Sequence, residues 1–273
     1  MPQDNRVLIY TVTCEAYEWC NYTFSNYLLS ESANWPNAEV LIVFNSSSPE
    51  WVEEQKKQWN AFIQEIGIWN KIHFIDVGSI IPNAATVGIC RQKAIEFARK
   101  NDYPLLYSVD IDCYPEPGSL QVLMQLLKRV DGGIISGKYY KRLVDPLRGP
   151  YRTIAAMFRE DFGMEMTTKT RINPRARIGL TGMKSEVSGV PFGFTLMTRA
   201  FFDSVDMPEM QEADDGAYKG KYVYKYNGKV YATEDLVYCA MARDKTKLLV
   251  LWTDHVTAKH LHRLETGDIE VFG

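Results

Sequence analysis

Apolar and β-branched residues gather in four short runs over the first 110 positions: Arg6–Val12, Glu39–Phe44, Ile72–Val77 and Leu105–Val109. Each has strand length and none has the spacing of a helical face. Between them, Ala16–Leu29, Glu50–Ile66 and Val87–Ala98 repeat at helical spacing, and in the last of these Ile89, Ala94, Ile95 and Ala98 can share a face. Strand and helix in alternation predict a parallel sheet with covering helices and right-handed crossovers. Ligands of such sheets collect beyond the carboxyl ends of the strands. There the fourth run ends in two carboxylates, Asp110 and Asp112.

Further along, EPGSLQVLMQLLKR predicts a helix with Leu120, Leu123, Met124 and Leu127 as its apolar stripe, and GGIISG a short strand. Residues 139–188 carry prolines, glycines and basic side chains without a sustained period, and read as a long irregular insertion. VSGVPFGFTLMTRAFFDSV then predicts a strand feeding a helix over Arg199–Ser204. Asn227-Gly228 between two β-rich runs predicts a type I′ hairpin. Thr233 is an N-cap candidate with Glu234 and Asp235 in the first turn behind it, and KLLVLWTDHVTAKHLH supplies a last strand with a histidine-bearing end. With no repeat, low-complexity tract or interdomain linker, residues 1–273 are expected to form a single domain.

Composition is that of an ordinary soluble protein, 46% hydrophobic and 24% charged. No apolar run approaches the roughly 18 residues of a membrane span. The start, MPQDNRVLIYTVT, lacks a signal-peptide pattern, so the expectation is a cytoplasmic protein. Five cysteines without a Cys-x-x-Cys pair fit reduced thiols better than a disulfide framework or a zinc site. The net charge of -3 conceals an asymmetry: Lys138–Lys184 holds eleven Lys or Arg against four Asp or Glu, a local +7 that leaves -10 for the remainder. A solvated face or a seat for anions explains such a run equally well.

On a continuing strand, Asp110 and Asp112 project to one side, and a hard divalent cation, Mg²⁺ or Mn²⁺, would offset their repulsion. The plain alternative is that both initiate the turn that Pro115 and Pro117 continue. Glu234 and Asp235 likewise have a plain reading, as acidic residues opposing a helix dipole. Trp252 has the spacing of a core residue and the chemistry of a sugar platform.

Taken in order, VLIYTVT, VGICRQKAIEFA, LLYSVDIDCYPEPGSLQVLMQLL, GGIISGKYYKR, GVPFGFTLMTRAFF, TEDLVYCAMAR and TDHVTAKHL resemble the GT-A class of nucleotide-sugar-dependent glycosyltransferases, especially the family-2-like enzymes of prokaryotes and their viruses. The resemblance implies an α/β fold of Rossmann-like three-layer α/β/α form with a mainly parallel sheet, interrupted by the basic insertion. It implies a nucleotide-binding half over 1–115 and an acceptor half over 116–273. Asp110 and Asp112 become the Asp-x-Asp motif, with Asp110 toward ribose and cation and Asp112 on the cation. His260, six residues after Asp254, becomes the third metal ligand, with His262 as its rival and His255 a third possibility. Arg91 is placed near the diphosphate, Thr11 and Thr13 at the edge of the nucleoside pocket, and Gly193 on the sugar side. Gln92 departs from the Asn common in the class.

The activity implied is transfer of a sugar from a nucleoside-diphosphate sugar, UDP-sugar favoured, to an acceptor hydroxyl, with Mn²⁺ or Mg²⁺ as cofactor. Asp235 as general base and Glu234 as its orienting neighbour imply inversion, although the fold also serves retention. The acceptor is unknown; the basic segment suggests an anionic one, DNA included. Two rivals share the architecture. A sugar-phosphate nucleotidyltransferase normally needs a Gly-rich basic loop after the first strand, and TVTCEAYEW has neither glycine nor lysine. A non-catalytic nucleotide- or carbohydrate-binding module is the other.

Overall fold

A computed structural model describes residues 6–32, 37–66, 72–78, 84–130, 132–145, 149–154, 184–186, 189–212, 222–231, 233–263 and 269–272. The predicted alternation is present: β1 (Val7–Thr13), a 3-10 helix (Glu15–Cys20) running into α1 (Asn21–Ser32), β2 (Ala38–Phe44), α2 (Pro49–Ile66), β3 (Ile72–Asp76), α3 (Ala84–Lys100) and β4 (Leu105–Val109). There follow β5 (Cys113–Pro115), α4 (Ser119–Lys128), β6 (Gly132–Asp145), β7 (Gly149–Ile154), β8 (Lys184–Glu186), β9 (Phe194–Thr198) and α5 (Arg199–Phe202). The remainder is β10 (Gln211–Glu212), β11 (Tyr222–Tyr226), β12 (Lys229–Tyr231), α6 (Glu234–Thr246), β13 (Leu249–Arg263) and β14 (Ile269–Phe272).

The main sheet runs β14-β13-β6-β9-β4-β1-β2-β3. β1 lies parallel to β2 and β4, with Val7 opposite both Ala38 and Leu105, and β13 is parallel to β6; β9 enters antiparallel between β4 and β6. Strand alternation separates two apolar layers. Val7, Ile9, Val40 and Ile42 face Phe24 of α1, Trp59 of α2 and Leu123 of α4. Leu8, Tyr10, Leu41 and Val43 face Ala94 of α3, Phe201 of α5 and Tyr238 of α6. The result is a three-layer α/β/α arrangement, and Trp252 is in the second layer, 3% exposed, as core rather than as a sugar platform. No described helix is long and apolar enough to cross a membrane.

Three sequence expectations change in shape. The extended backbone does not persist past Val109: Cys113 N donates to Asp110 O at 2.8 Å, closing a turn, so turn and acidic pair coexist. GGIISG is only the beginning of β6, which continues to Asp145 and pairs with β7, so the insertion opens on a hairpin; residues 155–183 lie outside the described residues. β13 spans fifteen residues, with a register irregularity between Trp252 and Thr257, and carries the histidine-bearing segment inside the sheet.

The glycines of β6 are a packing requirement. A Cβ at Gly137 would meet the Phe194 ring at 2.1 Å, and one at Gly133 the Phe201 ring at 2.2 Å, so both rings lie directly on the strand. In the Asn227-Gly228 turn both residues take positive φ, 48° and 73°, the conformation a type I′ hairpin demands.

Candidate functional site

The carboxyl ends of β1 and β4 open into a cleft lined by Thr13, Cys14, Tyr17, Asn45, Val87, Arg91, Asp110, Ile111 and Asp112. Arg91 reaches it from the middle of α3, whose Cys90, Ala94 and Ile95 pack into the core beside it. Its side chain is only 6% exposed. Nη1 donates to Glu234 Oε1 at 2.6 Å and Nη2 to Asp110 Oδ1 at 3.1 Å, Asp235 Oδ2 lies 3.8 Å away, and the Phe192 ring covers the guanidinium at 5.4 Å. Burial works against this cation, but Asp110 and Glu234 more than offset it and hold its pKa above the ordinary arginine value.

Asp110 is fixed by its backbone, whose N–H donates to Gly193 O at 2.9 Å in the turn before β9. Gly193 thus serves through its carbonyl and is not among the cleft-lining residues. Desolvation raises the Asp110 pKa, Arg91 opposes that, and Asp112 adds to it. Asp112 is held differently. Leu261 N donates to Asp112 O at 2.8 Å, β5 pairs antiparallel with β13, and Asp112 Oδ2 meets His260 Nε2 at 3.1 Å. Asp112, Cys113 and His260 offer ligand atoms within 4.8 Å of one another, whereas the Asp110 carboxylate stands outside that group, turned to Arg91. His255 is exposed; the side chains of Asp254 and His262 lie outside the described residues.

Glu234 and Asp235 open α6 beneath Arg91. Thr233 occupies the N-cap position without capping through its side chain; its hydroxyl bonds the Asp235 carboxylate instead. Asp235 Oδ1 also accepts from Leu236 N at 2.8 Å, and Oδ2 from Phe192 N at 3.2 Å. Three donors on a carboxylate with about four lone-pair sites leave one site on Oδ2. Glu234 is pushed up to about 7, first by burial and further by Asp235, with Arg91 opposing.

The geometry therefore brings Arg91, Asp110, Glu234 and Asp235 into one network of ion pairs, with Asp112 and His260 paired beside it. Thr13 lines the cleft, and its buried hydroxyl has no partner among the described residues. Thr11, two residues earlier, is buried and not among the lining residues. Gln92 points elsewhere, accepting from Met207 N at 2.8 Å and donating to Asp206, and so anchors the chain after α5. Sequence reasoning missed Tyr17 and Asn45 on the cleft wall, and Tyr224 of β11, which is buried with its hydroxyl 3.6 Å from where a Gly88 Cβ would stand. Aromatic spacing in KYVYKY was the available signal for Tyr224; nothing in TVTCEAYEW singled out Tyr17.

A divalent cation fits this chemistry. Carboxylate oxygen and imidazole nitrogen already meet at Asp112 and His260, and 39% of the Asp110 side chain remains exposed.

No protein-family model matches the chain, and neither does any curated protein. Solved structures do. The crystal structure of GalNAc-T7 with UDP, GalNAc and Mn²⁺ is 11% identical, aligns over 97% of this chain and 45% of its own, and has a TM-score of 0.58. That of S. aureus TarS 1-349 is 12% identical over 92% of this chain and 60% of its own, with a TM-score of 0.51. The shared property is the GT-A α/β fold. The chain spans about half the length of these structures.

Proposed function

We propose that this protein is a metal-dependent glycosyltransferase that moves a sugar from a nucleoside-diphosphate sugar, UDP-sugar favoured, to an acceptor hydroxyl. The observation that carries the reading is the convergence of Arg91, Asp110, Glu234 and Asp235, from three separate segments, beside the Asp112–His260 pair at the carboxyl ends of β1 and β4. Its support from likeness is the GT-A fold shared with a structure that holds UDP, GalNAc and Mn²⁺.

In this proposal Asp112 and His260 hold the cation, Mn²⁺ or Mg²⁺, with Asp110 beside them. When bound, the cation supplies positive charge against the negative charge that builds on the departing diphosphate. Arg91 adds its own charge to that side of the cleft and keeps Asp110 oriented toward the ribose. Thr13, with Tyr17 and Asn45, forms the wall of the nucleoside pocket. Asp235 accepts the acceptor's proton on the remaining site of Oδ2, which implies inversion. Glu234, locked on Arg91, orients Asp235 and the acceptor. Residues 1–115 hold most of the nucleotide, and 116–273 supply the acceptor side and His260. The basic segment Lys138–Lys184 favours an anionic acceptor.

Glu234 supports a second reading of the proton transfer. A carboxyl with its pKa near 7 is better matched to a general base at neutral pH than one engaged by three donors.

The test is hydrolysis or transfer from UDP-sugars with Mn²⁺. Turnover abolished by Asp112→Ala is the expected result; no turnover with any nucleotide sugar, together with nucleotide binding indifferent to Asp112→Ala, favours the non-catalytic module.

A further inference from the structure

Beside the residues proposed for the hard cation stands a donor that reading leaves unused. Cys113 is 1% exposed, and the register of β5 on β13 puts it directly opposite His260. Antiparallel partners in direct opposition carry their side chains on the same side of the sheet. Its sulfur, a carboxylate oxygen of Asp112 and a ring nitrogen of His260 lie within 4.8 Å of one another. Asp110, the purely hard partner, is outside this trio and committed to Arg91.

We propose that Asp112, Cys113 and His260 form a thiophilic cation site that takes Zn²⁺ or Cd²⁺, and that it overlaps the hard-cation site through Asp112 and His260, so that the two ions exclude each other. The inference rests on the reading that Asp112 and His260 hold the catalytic cation; the thiophilic site itself needs only the trio. Three physical arguments converge. Thiolate selects soft and borderline ions, whereas Mn²⁺ prefers carboxylate and water. At a mixed N/O/S site Zn²⁺ outranks Mn²⁺ in affinity. Ligand atoms around one tetrahedral zinc stand about 3.5 Å apart for bonds of roughly 2.0–2.3 Å; Asp112 Oδ2 and His260 Nε2 are already 3.1 Å apart, and the whole trio lies within 4.8 Å. Binding forms a metal–sulfur bond and releases the thiol proton to solvent; a water completes the fourth position. Zinc would therefore act as an inhibitor competitive with Mn²⁺.

Cadmium titration of the purified chain, followed through the thiolate-to-cadmium charge-transfer absorption, tests this without reference to turnover. The expected result is a band saturating at one equivalent that Cys113→Ser and Cys113→Ala both abolish. Zn²⁺ affinity should fall at least tenfold in both variants, while Mn²⁺ affinity, read from free Mn²⁺ by electron paramagnetic resonance, stays within about threefold. Circular dichroism confirms that at least one variant is folded. A band that survives in both variants, or an unchanged Zn²⁺ affinity, overturns the proposal. Loss of Mn²⁺ binding in the unaltered protein would overturn the glycosyltransferase reading instead, and a Cys113-dependent cadmium band would stand without it.

Discussion

Arg91 and Glu234, 143 residues apart in the chain, meet at 2.6 Å, and through this one bond α3 and the start of α6 are fixed to each other beneath the cleft. Because the Arg91 and Glu234 side chains are only 6% and 9% exposed, removing one partner above about pH 7, where Glu234 is ionised, strands the other charge in a poorly hydrated place. Arg91→Ala should lower unfolding stability by about 3–5 kcal/mol. Arg91→Met combined with Glu234→Gln should recover much of the loss. Urea denaturation of the three proteins measures both, and equal losses in the single and double variants would show that the ion pair does not set the cost.

Stability should depend on pH through Glu234. Its pKa rises from 4.5 to about 7 in the folded protein, chiefly by burial, so the native state retains a proton that the unfolded chain releases. Stability from this group is fully present below about 4.5 and is lost as pH rises through about 7. Glu234→Gln removes the dependence. The melting temperature of the variant minus that of the unaltered protein should therefore increase between pH 4.5 and 7.5; a flat difference would contradict the assignment.

Asp235→Asn separates chemistry from binding. If Asp235 removes the acceptor's proton, kcat should fall by roughly 10²–10⁴ while affinity for UDP with Mn²⁺ changes little. Comparing the pH–rate profile of Glu234→Gln with that of Asp235→Asn distinguishes the two candidate bases. If the rate loss and the vanished acidic limb both belong to Glu234→Gln, the second reading holds.

Packing at the edge of the site is equally exposed to test. Gly137→Ala would drive a methyl into the Phe194 ring, 2.1 Å from its Cε1, next to the Gly193 turn that holds Asp110. A destabilisation of about 1–3 kcal/mol is expected from this overpacking. Adding Phe194→Leu should relieve part of it in thermal unfolding, since the smaller side chain vacates the space; a further loss with no relief would point to another source of strain.

Much of this fold is legible in the chain because its local signals agree. Leu105–Val109 has the bounds its apolar run predicts, Glu50–Ile66 differs by one residue, and Asn227-Gly228 adopts the two positive φ angles its turn chemistry requires. What the pattern could not reveal depends on partners far away in sequence. Asp110 and Asp112 sit in a turn whose backbone groups are held by Gly193 O and Leu261 N, and neither partner is visible from VDID. Asn45 reaches the cleft wall through the parallel pairing of β1 with β2, which sets it beside Thr13. Gln92, one residue from Arg91, faces another way on the helix and anchors Met207 instead of the cleft. The extent of β6 was hidden for the opposite reason: past Gly137 its strand is specified by pairing with β7, and basic residues there carry no apolar alternation.

In the proposed function Asp112 and His260 hold a cation through which a nucleoside diphosphate binds at the ends of β1 and β4. Isothermal titration of UDP into the protein, with and without Mn²⁺, tests it most directly, on the unaltered chain and on Asp112→Ala and His260→Ala. Binding should need Mn²⁺ and weaken at least tenfold, about 1.4 kcal/mol or more, in each variant. Binding of equal strength without Mn²⁺, or unchanged in Asp112→Ala, would contradict it.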